Sequence, residues 1–222
     1  MYYFEKLNLN FKGEKPNFAG DFGHDLANVF GECEKSKLLE IIKIGAKFKR
    51  QLFDDYSFYC GEKTKPEADF ECAMRIIEIA YEASNSGNFY VVRAQNGEIA
   101  GFWYLYDVNY IRTYERKNSA GREVKTPVVG VLAGCLKKEF WGGQAREIMR
   151  GIIKEIFCVR RFRKIKCETF STNPYIERFL KEFDFRLEGV LKNETQAAGR
   201  LADVKIWGLE CSWRNFLQRK RG

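Results

Sequence analysis

The sequence predicts an α/β protein, a mixed and mostly antiparallel sheet flanked by helices. Three observations predict it. The middle of the chain carries two apolar runs, rich in β-branched and aromatic residues, separated by an Asn-Gly turn signal. The apolar period then lengthens to that of a helix near residue 143. From there to the end, strand-like and helix-like segments alternate, which implies a sheet covered by helices. The hairpins make the sheet mixed rather than purely parallel.

The elements follow in order. The first segment, about 2–11, fits a strand. Leu38, Ile42, Gly45 and Leu52 recur at helical spacing, with Lys and Glu between them. After Pro66 the pattern Phe70, Ala73, Met74, Ile77, Ala80 and Tyr81 marks an amphipathic helix, broken at Ser84–Gly87. Phe89–Ala94 (FYVVRA) and Ile99–Asp107 (IAGFWYLYD) are hairpin strands around Gln95-Asn96-Gly97-Glu98. Asn-Gly suits a type I′ turn, whose central residues both need positive φ. A polar connection, Asn109–Thr126, leads to a further apolar run at Val128–Leu136. Ile148, Ile152, Ile153, Ile156 and Phe157 share one face of a helix starting near Gly143, and Arg163–Phe170 reads as a strand. Asn173-Pro174 opens a short helix with Ile176, Phe179, Leu180 and Phe183 on one face. Asn is a good N-cap and Pro is favoured at the first helical position. Two strands, near Arg186–Lys192 and Ala202–Glu210, close the chain around Ala197-Ala198-Gly199-Arg200.

Composition bounds the function. Of 222 residues, 45% are hydrophobic and 31% charged, the balance of a globular chain. No apolar run reaches about 18 residues, so no membrane span is expected. The start, MYYFEKLNLNFKG, lacks the basic and apolar regions of a signal peptide, and a cytoplasmic location is expected. The cysteines are Cys33, Cys60, Cys72, Cys135, Cys158, Cys167 and Cys211. Their odd number and the lack of a CxxC pair point to buried thiols in a reducing compartment, with no metal site. The net charge is +8, fed by Arg160, Arg161, Arg163, Lys164 and Lys166 and by the tail Arg219, Lys220 and Arg221. It reads first as solvated surface. An acidic cofactor would profit from the same field. Nucleic acid is disfavoured, because no recognised binding motif accompanies the charge.

Specific residues resemble the GNAT (GCN5-related) N-acetyltransferase superfamily, closest to its ribosomal-protein N-acetyltransferase-like branch. Phe185-Arg186-Leu187-Glu188-Gly189-Val190-Leu191 is similar to the strand after the last helix of that branch. Gly199-Arg200, Asp203 and Trp207-Gly208-Leu209 fit its closing hairpin, and Asn173-Pro174-Tyr175-Ile176-Glu177-Arg178 falls where it has Asn and, five residues on, Arg. Lys138-Glu139-Phe140-Trp141-Gly142 resembles the approach to the pyrophosphate loop. The likeness covers about 66–210. It implies the GNAT acyl-CoA fold as one domain over 1–222, with an unmatched strand and helical region at 1–65, a core at 66–211 and a basic tail at 212–222.

The resemblance implies acetyl-CoA as co-substrate, its pyrophosphate held at the start of the central helix. A helix N-terminus offers unpaired N–H donors and partial positive charge to an anion. The matching residues are Trp141, Gly142, Gly143, Gln144, Ala145 and Arg146, with pantetheine running toward Asn173 and Arg178. The loop departs from the family pattern: its two glycines are adjacent, and it aligns with one residue missing. A glycine pair also fits a plain strand-to-helix junction, and Asn173 fits a plain N-cap. The leaving-thiolate Tyr of the family is replaced by Leu180, and the Gly before the following Phe by Asp184.

Acetyl transfer to an amine needs the thioester held beside the amine, a proton acceptor, and a donor for the developing oxyanion. In the family that donor is a backbone N–H of the fourth strand, here within Gly134–Leu136, with the Cys135–Leu136 backbone rather than the Cys135 thiol. Asp107, Tyr106 (or Tyr104) and Glu168 are the candidate bases. The acceptor is expected between residues 20–60 and the Asn109–Lys125 connection, in a cleft leading to Cys135. His24 falls in the unmatched region and reads as a surface or packing residue. Two functions stand side by side: an N-acetyltransferase acting on a protein, peptide or small amine, and a GNAT-fold binding or assembly protein without catalysis.

Overall fold

A computed structural model of the chain describes residues 2–7, 32–47, 65–117, 120–197 and 200–211. His24, Leu52 and the tail 212–222 lie outside the described residues. The elements are β1 (Tyr2–Lys6), α1 (Glu32–Lys47), α2 (Lys65–Asn85), β2 (Phe89–Ala94), β3 (Ile99–Lys117), β4 (Ala120–Leu136), α3 (Gly143–Lys154), β5 (Lys164–Phe170), α4 (Pro174–Glu182), β6 (Arg186–Ala197) and β7 (Arg200–Glu210). The seven strands form one sheet in the order β1-β2-β3-β4-β5-β7-β6. Every neighbouring pair is antiparallel except β4 and β5. This is the mixed, mostly antiparallel sheet the sequence predicts.

Both faces of its first half are covered. Leu38, Ile41 and Ile44 of α1, with Ile76 and Ile77 of α2, pack on Phe89, Val91, Phe102 and Tyr104. Ile148, Ile152 and Ile153 of α3 and Leu180 of α4 pack on the other face, against Trp103, Leu105, Ile165, Cys167 and Trp207. Double burial explains why FYVV reads as a continuous apolar run rather than an alternating one. The buried Trp207 indole is satisfied: its Nε1–H donates to Thr169 Oγ1 at 3.0 Å. No described helix is long and apolar enough to cross a membrane.

Two expectations change. The first turn is not type I′, because φ is positive at Gly97 (82°) and not at Asn96. Gly97 N–H donates to Ala94 O and Ala94 N–H to Glu98 O, both at 2.9 Å. This is a three-residue loop closed by a glycine bulge. The second change is larger. Asn109–Thr126 is not a polar connection but a ladder, continuing β3 and β4 from Asn109↔Val129 to Lys117↔Ala120. Tyr110 and Ile111, neighbours on β3 that point to opposite faces, are both exposed, so no buried face marks the start of the ribbon in the sequence. This ribbon leaves β4 at the end opposite Cys135, its nearest pair, Asn109↔Val129, lying six residues away, roughly 20 Å at strand rise. It therefore does not line a cleft at Cys135, which corrects that expectation.

β3 and β4 approach closely near the end of β4. A Cβ placed on Gly101 would lie 2.1 Å from Cys135 O and 2.9 Å from Leu136 Cα. Backbone atoms cannot step aside as a flexible side chain can. Gly101→Ala should therefore lower stability by about 3 kcal/mol. A urea melt with an unchanged midpoint would show that the two strands part without cost.

Candidate active site

β4 and β5 share only three register partners: Val129↔Lys164, Gly130↔Ile165 and Val131↔Lys166. Beyond them Leu132–Leu136 and Cys167–Phe170 diverge. Each remains paired on its other side, β4 to β3 as far as Leu136 and β5 to β7 throughout. The gap thus lies between two intact half-sheets, where the sequence predicts a splay.

The chain crosses the mouth of this gap. After β4 it makes a short 3-10 turn, Lys138–Phe140, and enters α3 through Gly142, whose φ of 73° and ψ of −126° suit glycine. Trp141 is half exposed, and its Nε1–H donates to Leu136 O at 3.1 Å, which folds the loop back on the strand end. The first helical bond runs from Arg146 N–H to Gly142 O. The N–H groups of Gly143, Gln144 and Ala145 precede it and have no intrahelical partner. A Cβ on Gly142 or Gly143 would meet nothing within 4 Å, so the loop is open at both glycines. Gln144 is exposed and Ala145 is buried. Arg146 is engaged elsewhere: it holds Glu182 with two bonds, at 2.6 and 3.1 Å. Nothing in the sequence points to this partner, because Glu182 lies on another helix.

Register decides between the Cys135 and Leu136 amides. Lys137 N–H donates to Ala100 O on β3 at 2.9 Å. Strand alternation turns Cys135 N–H the same way, and turns Gly134 and Leu136 N–H toward the gap. The Cys135 side chain packs with the α1/α2 face. Burial, with Cys72 nearby, pushes its thiol up to about 12. It is a protonated thiol at neutral pH, as expected of a non-nucleophile. Iodoacetamide at pH 8 should thus label exposed Cys158 well before Cys135 or the buried Cys72 and Cys167, read by peptide mass mapping. Early modification of Cys135 would contradict this burial.

The candidate bases divide. Tyr106 OH donates to Glu168 Oε2 at 3.2 Å, spanning from β3 to β5 across β4. Burial first, then the Glu168 carboxylate, pushes the Tyr106 phenol well above the ordinary tyrosine value, so it stays protonated. Burial likewise lifts Tyr104, to about 12. Asp107 is exposed, with a left-handed φ of 47°, at a bulge where β3 slips its register on β4. Among the described residues it makes no hydrogen bond to Tyr106 or Glu168, so the structure joins two of the three candidates.

α4 opens on the same side. Asn173 occupies the N-cap position (φ −122°, ψ 76°), yet its side chain makes no cap bond. Arg178 is exposed one turn before Glu182. Leu180 is buried in the core, at 2% exposure, rather than lining the gap. Asp184 has φ 65°, the conformation that explains a glycine at the matching family position. Among the described residues no group of three or more His, Cys, Asp or Glu could hold a metal.

No family model matches the chain, and no curated protein matches it. Solved structures do. The fold is that of the GNAT N-acetyltransferases. A spermidine N-acetyltransferase from Vibrio cholerae, solved with CoA and spermine, superposes with a TM-score of 0.55 at 19% identity over 79% of this chain and 90% of that one. Mutant forms of the spermidine/spermine enzyme from Vibrio cholerae give 0.56 at 19% identity, over 84% and 94%. A protein assigned as a phosphinothricin N-acetyltransferase gives 0.51 at 14% identity, over 96% and 99%.

Proposed function

We propose that the chain transfers the acetyl group of acetyl-CoA to an amine. The observation that carries this reading is the gap between β4 and β5, which opens onto the free N–H groups at the start of α3. A thioester tail can enter such a gap only if its phosphates find donors at the mouth, and both are present. The same fold in known N-acetyltransferases supports the reading.

Acetyl-CoA, when bound, supplies an acyl group activated as a thioester. Gly143, Gln144 and Ala145 N–H would hold its pyrophosphate, helped by the helix dipole. Leu136 or Gly134 N–H would face the thioester carbonyl and stabilise the charge that builds on its oxygen. Glu168 would take one proton from the incoming ammonium, and Tyr106, a donor and not a base, would hold Glu168 in place. Transfer forms the N–C bond, breaks the C–S bond and sends the amine's second proton to the departing thiolate. Thiols outside any disulfide, such as Cys158 and Cys167, suit a reducing cytoplasm.

A thermal melt tests the reading. Acetyl-CoA at 100 times its Kd stabilises by about 2.7 kcal/mol, a rise of about 5–10 °C for a chain of this size. No shift at millimolar acetyl-CoA would assign the fold to a binding or assembly role instead.

A further inference from the structure

β5 alternates along its length. Ile165, Cys167 and Thr169 are buried, the first two against the α3/α4 side. Lys164, Lys166 and Glu168 therefore present to the opposite face, the one that carries Tyr106. The charges there are unevenly matched. Glu188 Oε1 holds Lys164 Nζ at 2.5 Å, and Glu168 accepts from Tyr106. Lys166 stands opposite Gly208 and Arg186 flanks that glycine from the other side, with the Glu188 carboxylate over the same glycine, so three cations, Lys164, Lys166 and Arg186, share this one carboxylate. Among the described residues neither Lys166 nor Arg186 has an ion-pair partner. Glu210, opposite Lys164 at the strand's end, has none either. Lys166 is half-buried, so its ammonium is not simply a surface charge.

Register sets these groups in a line. Lys166 is level with Val131. Glu168 lies one same-face step nearer the opening, about 6.6 Å along the strand. The Gly134 and Leu136 amides lie beyond it on β4. From the mouth inward the order is acyl-facing amide, carboxylate, cation.

We propose that the acceptor is a primary amine that itself carries an anionic group roughly 6–7 Å from the nitrogen, the chemistry of an ω-amino acid. Its ammonium meets Glu168 and its carboxylate meets Lys166. The assignment rests on the acetyl-transfer reading above. A diamine of the same length sets a second cation against Lys166 and is rejected by like charge. Lys166 thus determines specificity without touching the reacting atoms.

The test compares 5-aminopentanoate with 1,5-diaminopentane, which are matched in length and differ at one end. With saturating acetyl-CoA, release of CoA thiol should give a kcat/KM at least tenfold higher for the amino acid. Lys166→Glu should reverse the order, and Lys166→Met should bring the two within about threefold, an order-of-magnitude expectation for removing one charge contact. Titration of acetyl-CoA alone tests the underlying reading separately. If acetyl-CoA binds but the diamine is preferred, the two acceptors are equal, neither is acetylated, or both variants keep the wild-type ratio, the acceptor assignment is wrong while the cofactor reading stands. If acetyl-CoA does not bind, the acetyl-transfer reading falls and takes the acceptor with it.

Discussion

Gly143→Asp should abolish acetyl-CoA binding and leave the fold intact. The position separates the two effects. A Cβ at residue 143 meets nothing within 4 Å, and the residue is not in the left-handed region, so the larger side chain is accommodated. A carboxylate in the first turn of a helix is favourable to the helix itself. The same carboxylate would face the pyrophosphate, and opposed like charges cost several kcal/mol, at least 100-fold in affinity. Gly143→Ala, which adds bulk without charge, should lose less than tenfold. Isothermal titration reads both, with the melting temperature as control. Gly142 is the wrong choice for this experiment, because its φ of 73° would strain any other residue. Undiminished binding by the Asp variant would move the phosphate site away from α3.

Glu168→Gln should lower kcat by about 10²–10³ at neutral pH, the range for loss of a general base. Gln still accepts the bond from Tyr106, so geometry is kept while proton affinity is lost. The loss should shrink as pH rises toward the amine's own pKa, near 10.4 for an alkylamine, because solvent then supplies the deprotonated nucleophile. Tyr106→Phe removes only the positioning bond and should cost about tenfold, with a pH profile like that of wild type. A Glu168→Gln enzyme with wild-type kcat at pH 7 would mean that water, not Glu168, removes the proton. Asp107, in its exposed bulge, should tolerate Asn with little change.

The parts legible in the sequence were those governed by burial and local backbone chemistry. The β2/β3 strands and the α3 and α4 faces follow from apolar period, and the splay follows from the likeness of the chain's second half to the family. The β3/β4 ribbon was not legible. Strand pattern is read from a buried face, and Tyr110 and Ile111 there are exposed. The Gly97 turn departs from the expectation because Asn-Gly serves two hairpin geometries, a two-residue type I′ loop and a three-residue loop closed by a glycine bulge. Within the site, Gly142 and Gly143 were found as a motif. The choice of Leu136 over Cys135, the Arg146–Glu182 pair and the Tyr106–Glu168 bond depend on pairing between strands or helices far apart in sequence. Lys166 escaped because KIKCE reads as a solvated edge until the sheet shows which face is which.

The opening between β4 and β5 also bears on what a ligand must overcome. Had the ladder run closed past Val131, entry would break backbone bonds between Leu132–Leu136 and Cys167–Phe170. Each buried group left unpaired costs about 1–3 kcal/mol. Here the separation belongs to the sheet itself, held by β3 on one side and β7 on the other. The reorganisation is thus met during folding, and a tail entering the gap gains strand-like partners without displacing any.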